Sequence, residues 1–186
     1  MKCAFPLFIA VWLLKSPAAY ARSDYWYEHS DDTRFWVNAG VGGGYPSFSS
    51  SISANWQSKH WPICQLGLVH NSTFQLIGGT PEESVTSVSL LVGARTQPSI
   101  FTAAGFFGLG VVNGFHRGDD YLGGGGYLGG GNYSQEPYSV VGLVSNAQLF
   151  WKPTMTFGLG LQANVCLNTE LTFSSLQLSI HLGSDR

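Results

Sequence analysis

Charge is what this sequence has least of. Asp, Glu, Lys and Arg make up 11% of its 186 residues, against about a quarter in an average soluble domain, so something other than surface charge keeps the chain dispersed. The few basic residues are scattered, which removes the electrostatic footprint that a nucleic-acid partner needs. Cysteine is scarce too, at three, and none follows the predicted leader cleavage site closely enough to carry a lipid anchor. Long apolar runs are missing: after Ala21 nothing approaches the roughly 18 uninterrupted apolar residues of a membrane-crossing helix. No segment sustains helical periodicity either. What the chain has in quantity is glycine, at 24 residues, and aromatic residues, at 14%.

Residues 1–21 read as an export leader: Lys2, an apolar run from Ala4 to Leu14, then the small-x-small pattern Ala19-Tyr20-Ala21. Cleavage near Ala21 leaves 165 residues, seven Lys and Arg against eleven Asp and Glu. That is enough for one domain. The expected division is a leader (1–21), a polar lead on the periplasmic side (22–33), a barrel domain (34–183) and a short tail (184–186).

From Arg34 onward the chain breaks into segments of about ten residues with period-two alternation, the repeat of transmembrane β-strands. Eight are expected: Arg34–Gly44, Ser50–Lys59, Ile63–His70, Ser84–Thr96, Ile100–Gly114, Tyr138–Trp151, Met155–Leu167 and Phe173–Gly183. Connections after the second, fourth and sixth are tight and each holds a proline (Pro62, Pro98, Pro153), whereas 71–83 and 115–137 are long. Short turns on the periplasmic side and long loops outside are the order of an even-stranded up-and-down barrel.

One parity of each strand is apolar, for example Leu66, Leu68; Leu90, Val92; Leu159, Leu161; Leu176, Leu178, Ile180. The other is small or amide-bearing, and the expected lumen set is Asn38, Asn55, Gln57, Gln65, Arg95, Asn146, Gln148, Gln162, Asn164, Gln177 and His181, with Arg95 its lone cation. A water-facing exterior would ordinarily carry Lys and Glu. The polar set carries almost none, so it suits a narrow lumen and leaves the apolar set to lipid. Aromatic residues at strand ends are expected to form two girdles: Phe35, Trp56, Phe101, Trp151 and Phe157 at the periplasmic end, Tyr45, Phe48, Phe115, Tyr138 and Phe173 at the other. The fold class is therefore all-β, an eight-stranded antiparallel transmembrane barrel whose partner is the lipid bilayer.

With Trp36-Val37-Asn38-Ala39-Gly40-Val41-Gly42-Gly43-Gly44-Tyr45 as its opening strand, and Ala147–Trp151, Phe157–Leu161 and Leu176–Gly183 in its closing strands, the chain resembles the small outer-membrane β-barrel proteins of Gram-negative bacteria. The resemblance implies outer-membrane location and carries no biochemical role with it. These barrels commonly end on an aromatic residue, where this chain has Gly183-Ser184-Asp185-Arg186.

Eight strands enclose an interior filled by side chains, which argues against a solute channel. His70-Asn71-Ser72, with Glu82 and Glu83 entering the next strand, offers a hydroxyl, an imidazole and a carboxylate for acyl transfer, and looks like the His-x-Ser element of outer-membrane lipid A deacylases. The glycine run 123–131, with Tyr121, Tyr127, Tyr133 and Tyr138 around it, reads as a flexible outer loop with contact area for a partner. The five histidines fall on different ends and faces, and Cys64 and Cys166 on opposite parities, so no metal, cofactor or disulfide is expected. Three readings remain: a non-enzymatic scaffold that meets an extracellular protein or glycan through 71–83 and 115–137; a lipid-modifying hydrolase; and a secreted soluble calycin-like barrel with the apolar set lining a ligand cavity.

Overall fold

In a computed structural model the described residues are 33–45, 48–58, 62–73, 83–96, 100–123, 132–154 and 156–184. The leader, most of the polar lead, Glu82, the centre of the glycine run and the last two residues lie outside them. Eight strands, β1 (Arg34–Gly44), β2 (Phe48–Gln57), β3 (Ile63–Ser72), β4 (Ser84–Arg95), β5 (Phe101–Gly123), β6 (Asn132–Trp151), β7 (Phe157–Leu167) and β8 (Phe173–Ser184), pair in sequence order. The antiparallel pairing of β8 with β1 closes them into a barrel.

The register fixes the dimensions. Phe35 lies opposite Trp56, then Cys64, Val92, Phe107, Ser145, Val165 and Ser174 in turn. The Ser174 carbonyl accepts from the Tyr45 N–H, so one circuit returns to β1 ten residues above its start. A stagger of ten over eight strands, with the ordinary strand spacing, gives a tilt of roughly 40°, a rise along the axis of about 2.5 Å per residue and a backbone radius of about 8 Å. An interior of that width holds side chains and nothing more.

Alternation then sorts the side chains. The interior combines buried amides and hydroxyls, such as Asn38, Gln65 and Gln177, with an apolar cluster that includes Trp36, Ile63, Leu91, Phe106, Val144 and Phe173. Large inward rings find room because a glycine stands opposite on the next strand. Gly93 lies across from Phe106, Gly114 from Tyr138, Gly160 from Phe150 and Gly183 from Trp36, and a Cβ on any of these glycines would fall within 3 Å of the ring it faces or of its backbone. Gly183 also has φ of +135°, which a side chain would resist.

Three expectations need correction. The segment 115–137 is not a loop over most of its length: β5 and β6 continue past the barrel as a paired ribbon, through His116 opposite Glu136 and Tyr121 opposite Tyr133 to Gly123 opposite Asn132, with two register shifts. Its Gly- and Asp-rich composition reads as a turn, but outside a membrane a ladder needs no alternating apolar pattern to persist. β3 likewise runs on to Ser72, opposite Ser84. Finally, Tyr138 and Phe173 are not girdle residues. Tyr138 shares the parity of Asn146 and packs with the inner cluster, and Phe173, 2% exposed, stands inside opposite Cys166.

Candidate functional site

The outer wall is the most unusual surface. Leu66, Leu90, Leu109, Val141, Leu161, Leu176 and Leu178 all stand exposed, so the apolar set does not line a cavity and the soluble ligand-binding barrel is overturned. At the end with the short turns the exposed aromatic residues are Phe35, Trp56, Phe101, Trp151 and Phe157; at the ribbon end they are Tyr45, Phe48 and Phe115. Phe35 near the start of β1 and Tyr45 just past its end are ten residues apart, about 25 Å along the axis at this tilt.

Side-chain hydrogen bonds link polar residues through the interior. His181 Nδ1 donates to Asn38 Oδ1 (2.9 Å), Asn38 Nδ2 to Gln148 Oε1 (3.1 Å) and Gln148 Nε2 to Asn146 Oδ1 (2.7 Å). Asn146 passes the chain to Asn164, which also accepts from Gln162 and donates to Ser175. Gln177 joins Ser51 and Ser49, and Gln65 donates to Asn55 (2.8 Å). These amides are all buried. Gln57 and Arg95 sit half-buried at the turn end, where the Arg95 guanidinium lies 4.8 Å from the centre of the Trp36 ring. Arg95 is not the lone inward cation: Lys152, 1% exposed, covers Gly158 from inside. Its even numbering, shared with Gln148 and Phe150, is the signal that its place beside a turn proline conceals.

At the ribbon end the acyl-transfer candidates separate. His70 and Ser72 point outward on β3 with the parity of Leu66 and Leu68, and His70 Nδ1 is 2.9 Å from Thr86 Oγ1 on β4. Glu83 follows the inward parity of Val85 and Ser87; its N–H donates to Thr73 Oγ1 (3.1 Å). It is therefore on the wrong side of the sheet to serve His70. Above the outer aromatic line, burial, then the charges of Glu83, Cys166 and Glu170, push the Tyr138 phenol up to about 12. Cys64 lies on the outer wall and Cys166 inside, both as free thiols. Among the described residues no three His, Cys, Asp or Glu gather to hold a metal ion.

The ribbon has open edges. β4 pairs with β5 as far as Phe115 and β7 with β6 from Leu143, so beyond those points the ladder that continues is the one between β5 and β6.

Comparison with protein-family models and with curated proteins finds no match. Among solved structures, the chain is similar to the N-terminal β-barrel domain of OprF from Pseudomonas aeruginosa (TM-score 0.54, 13% identity, 81% of this chain and 96% of that one). It is similar also to a major outer membrane protein of Thermus thermophilus (TM-score 0.53, 13% identity, 82% and 99%). A third is Ail, the attachment invasion locus protein of Yersinia pestis, in complex with the heparin analogue sucrose octasulfate (TM-score 0.50, 8% identity, 81% and 97%). At these identities the likeness shows a shared fold: the closed eight-stranded barrel of small bacterial outer-membrane proteins.

Proposed function

We propose that this chain is an outer-membrane scaffold of a Gram-negative bacterium, released from its leader near Ala21, that holds the β5–β6 ribbon and the β3–β4 connection outside the cell for contact with an extracellular protein or glycan. The observation that carries the reading is the outer wall. A belt of exposed aliphatic residues, bounded at each end by aromatic residues about 25 Å apart along the axis, matches the apolar band and girdles of an outer-membrane barrel. Water does not tolerate such a belt on a monomer. The closed ladder supports the same medium, because hydrocarbon offers no partner to an open strand edge.

Contact rather than chemistry is the ribbon's role. Its open edges can take an added strand, with backbone hydrogen bonds supplying affinity. The segment 115–137 holds one Arg against Asp119, Asp120 and Glu136, so its charge does not favour a polyanion such as the sulfated sugar bound by the Yersinia protein. A neutral or basic partner fits better. Eight strands enclose a lumen about wide enough for side chains, which argues against solute passage.

Membrane fractionation with heated and unheated gel samples tests the reading. The protein should sediment with the outer membrane and change mobility only after boiling. Recovery in the periplasmic supernatant with no mobility shift would overturn it.

A further inference from the structure

Charge is divided between the two ends of the barrel. Every Asp and Glu among the described residues, Glu83, Asp119, Asp120, Glu136 and Glu170, lies at the ribbon end. The turn end is cationic. Arg34 follows the inward parity of Trp36 and Asn38, Arg95 holds its guanidinium 4.8 Å from the centre of the Trp36 ring, and Lys152, 1% exposed, lies inside over Gly158. Gly158 is opposite His181, whose ring centre stands 6.1 Å from that of Trp36. β1, β4 and the end of β6 thus each bring a positive side chain to one small region of the mouth. Inward and opposite Arg34, Gln57 Oε1 is buried with no hydrogen-bond partner among the described residues.

We propose that this mouth is the docking site of the chain's own polar lead, residues 22–33, whose carboxylates seal the turn end of the lumen. The inference rests on release of the leader near Ala21, which makes the lead the mature N-terminus. Asp24, Glu28, Asp31 and Asp32 stand in those residues against Arg22 as the one Lys or Arg. The lead is also attached at the right place, since it enters β1 at Arg34, on the rim of the same mouth. Asp32 and Asp31 precede Arg34 by two and three residues, a span of about 7 to 10 Å in extended chain. The distance from wall to axis is about 8 Å, so both carboxylates can reach the middle of the opening.

Two considerations favour an acidic peptide over a free anion. A small anion such as phosphate offers the mouth mainly acceptors. A peptide brings carboxylates to Arg34, Arg95 and Lys152 and backbone N–H groups to Gln57 Oε1, and so answers both kinds of demand. The second is tethering. A segment joined to β1 meets the mouth at an effective concentration in the millimolar range, which a diffusing anion of the same chemistry has to exceed. Inside a filled lumen each charge pair is also stronger than in water, and a carboxylate there lowers the cost of keeping Lys152 from solvent. The barrel is then closed at its turn end by its own N-terminus, and contact with other molecules is left to the ribbon end.

The test uses the full mature chain, refolded into phosphatidylcholine vesicles so that no anionic lipid competes, with Tyr27 replaced by the photoreactive p-benzoylphenylalanine. On illumination, crosslinks located by mass spectrometry should run from position 27 to peptides holding Trp36, Arg95 or Lys152 of the same molecule. Their yield should fall about tenfold in 1 M salt, where charges are screened beyond about 3 Å, and about tenfold again from the low-salt value in R95Q and in D31N/D32N. Combining those variants should lower it little further, because each removes the same contact. R95K keeps the charge and should keep most of the yield, and it stands in if R95Q loses the heat-dependent gel shift. Crosslinks confined to lipid, to a second copy or to the outer wall overturn the proposal, as does a yield indifferent to salt and to these substitutions. Loss of the crosslink in inorganic phosphate, but not in chloride of equal ionic strength, also overturns it and marks the mouth as a site for free anions. The intact mass of the protein recovered from outer membranes reads cleavage near Ala21, so failure of the leader reading is told apart from failure of docking.

Discussion

Placing an arginine at Leu178 tests which medium surrounds the barrel. Leu178, 71% exposed, lies opposite Val41 on β1 and Leu161 on β7. Val41 is six residues above Phe35 and four below Tyr45, so Leu178 faces the middle of the belt. Ser174, four residues earlier on the same outward face, is level with Tyr45 and about 10 Å nearer the ribbon end. In lipid, L178R should cost about 2–4 kcal/mol and S174R about 0–1. The first is a roughly 30- to 1000-fold change in the folding equilibrium, the second about fivefold at most. Denaturant unfolding in vesicles, followed by tryptophan fluorescence, reads both, and L178A separates the loss of the leucine from the arrival of charge. Equal and negligible costs for the two arginines would refute the argument from depth, since a wall in water is indifferent to how far along it a charge is placed.

Asn38→Ala should destabilise the barrel by about 2–4 kcal/mol, because it strands the His181 Nδ1 donor and the Gln148 Oε1 acceptor inside; the same unfolding assay checks this. Gly160→Ala puts a Cβ 2.1 Å from the Leu149 carbonyl and under the Phe150 ring, and it should lower stability by about 1–3 kcal/mol, read as earlier loss of the folded gel band on heating. Tyr138 should be among the last tyrosines to ionise. Its folded value near 12 exceeds the ordinary 10.0, so it leaves stability unchanged below the ordinary value and lowers it as pH rises toward the folded one. Tyrosinate absorbance of Y138F should lack the highest-pH component, and an unchanged titration would count against the inward placement.

Strand number, order and closure were legible because lipid on one side and a narrow interior on the other impose a two-residue repeat wherever a strand crosses the belt. Arg34–Gly44 shows it from end to end. Legibility fails where that constraint stops. Residues 115–123 and 132–137 pair as a ribbon with no belt to satisfy, so their composition imitates a loop. Tyr138 and Phe173 stand at strand ends, where girdle aromatics are expected, but they share parity with Asn146 and Gln177 on the same strands, which turns them inward. The amides were individually visible, but their linkage was not, since Asn38 meets His181 and Gln148 from opposite ends of the sequence. At the ribbon end of the outer wall the hydrogen bond between His70 and Thr86 is legible only in part. His70 and Ser72 lie in one short motif, whereas Thr86 enters only through the β3–β4 register.

The seam between β8 and β1 has ten residues opposite ten, as continuous as any ladder between strands adjacent in sequence. In a bilayer an arrangement short of that last zipper would hold two rows of amide hydrogens and carbonyls against acyl chains. Adding strands to the bilayer one at a time is thereby penalised, and entry into the membrane and joining of the chain's two ends become a single concerted event.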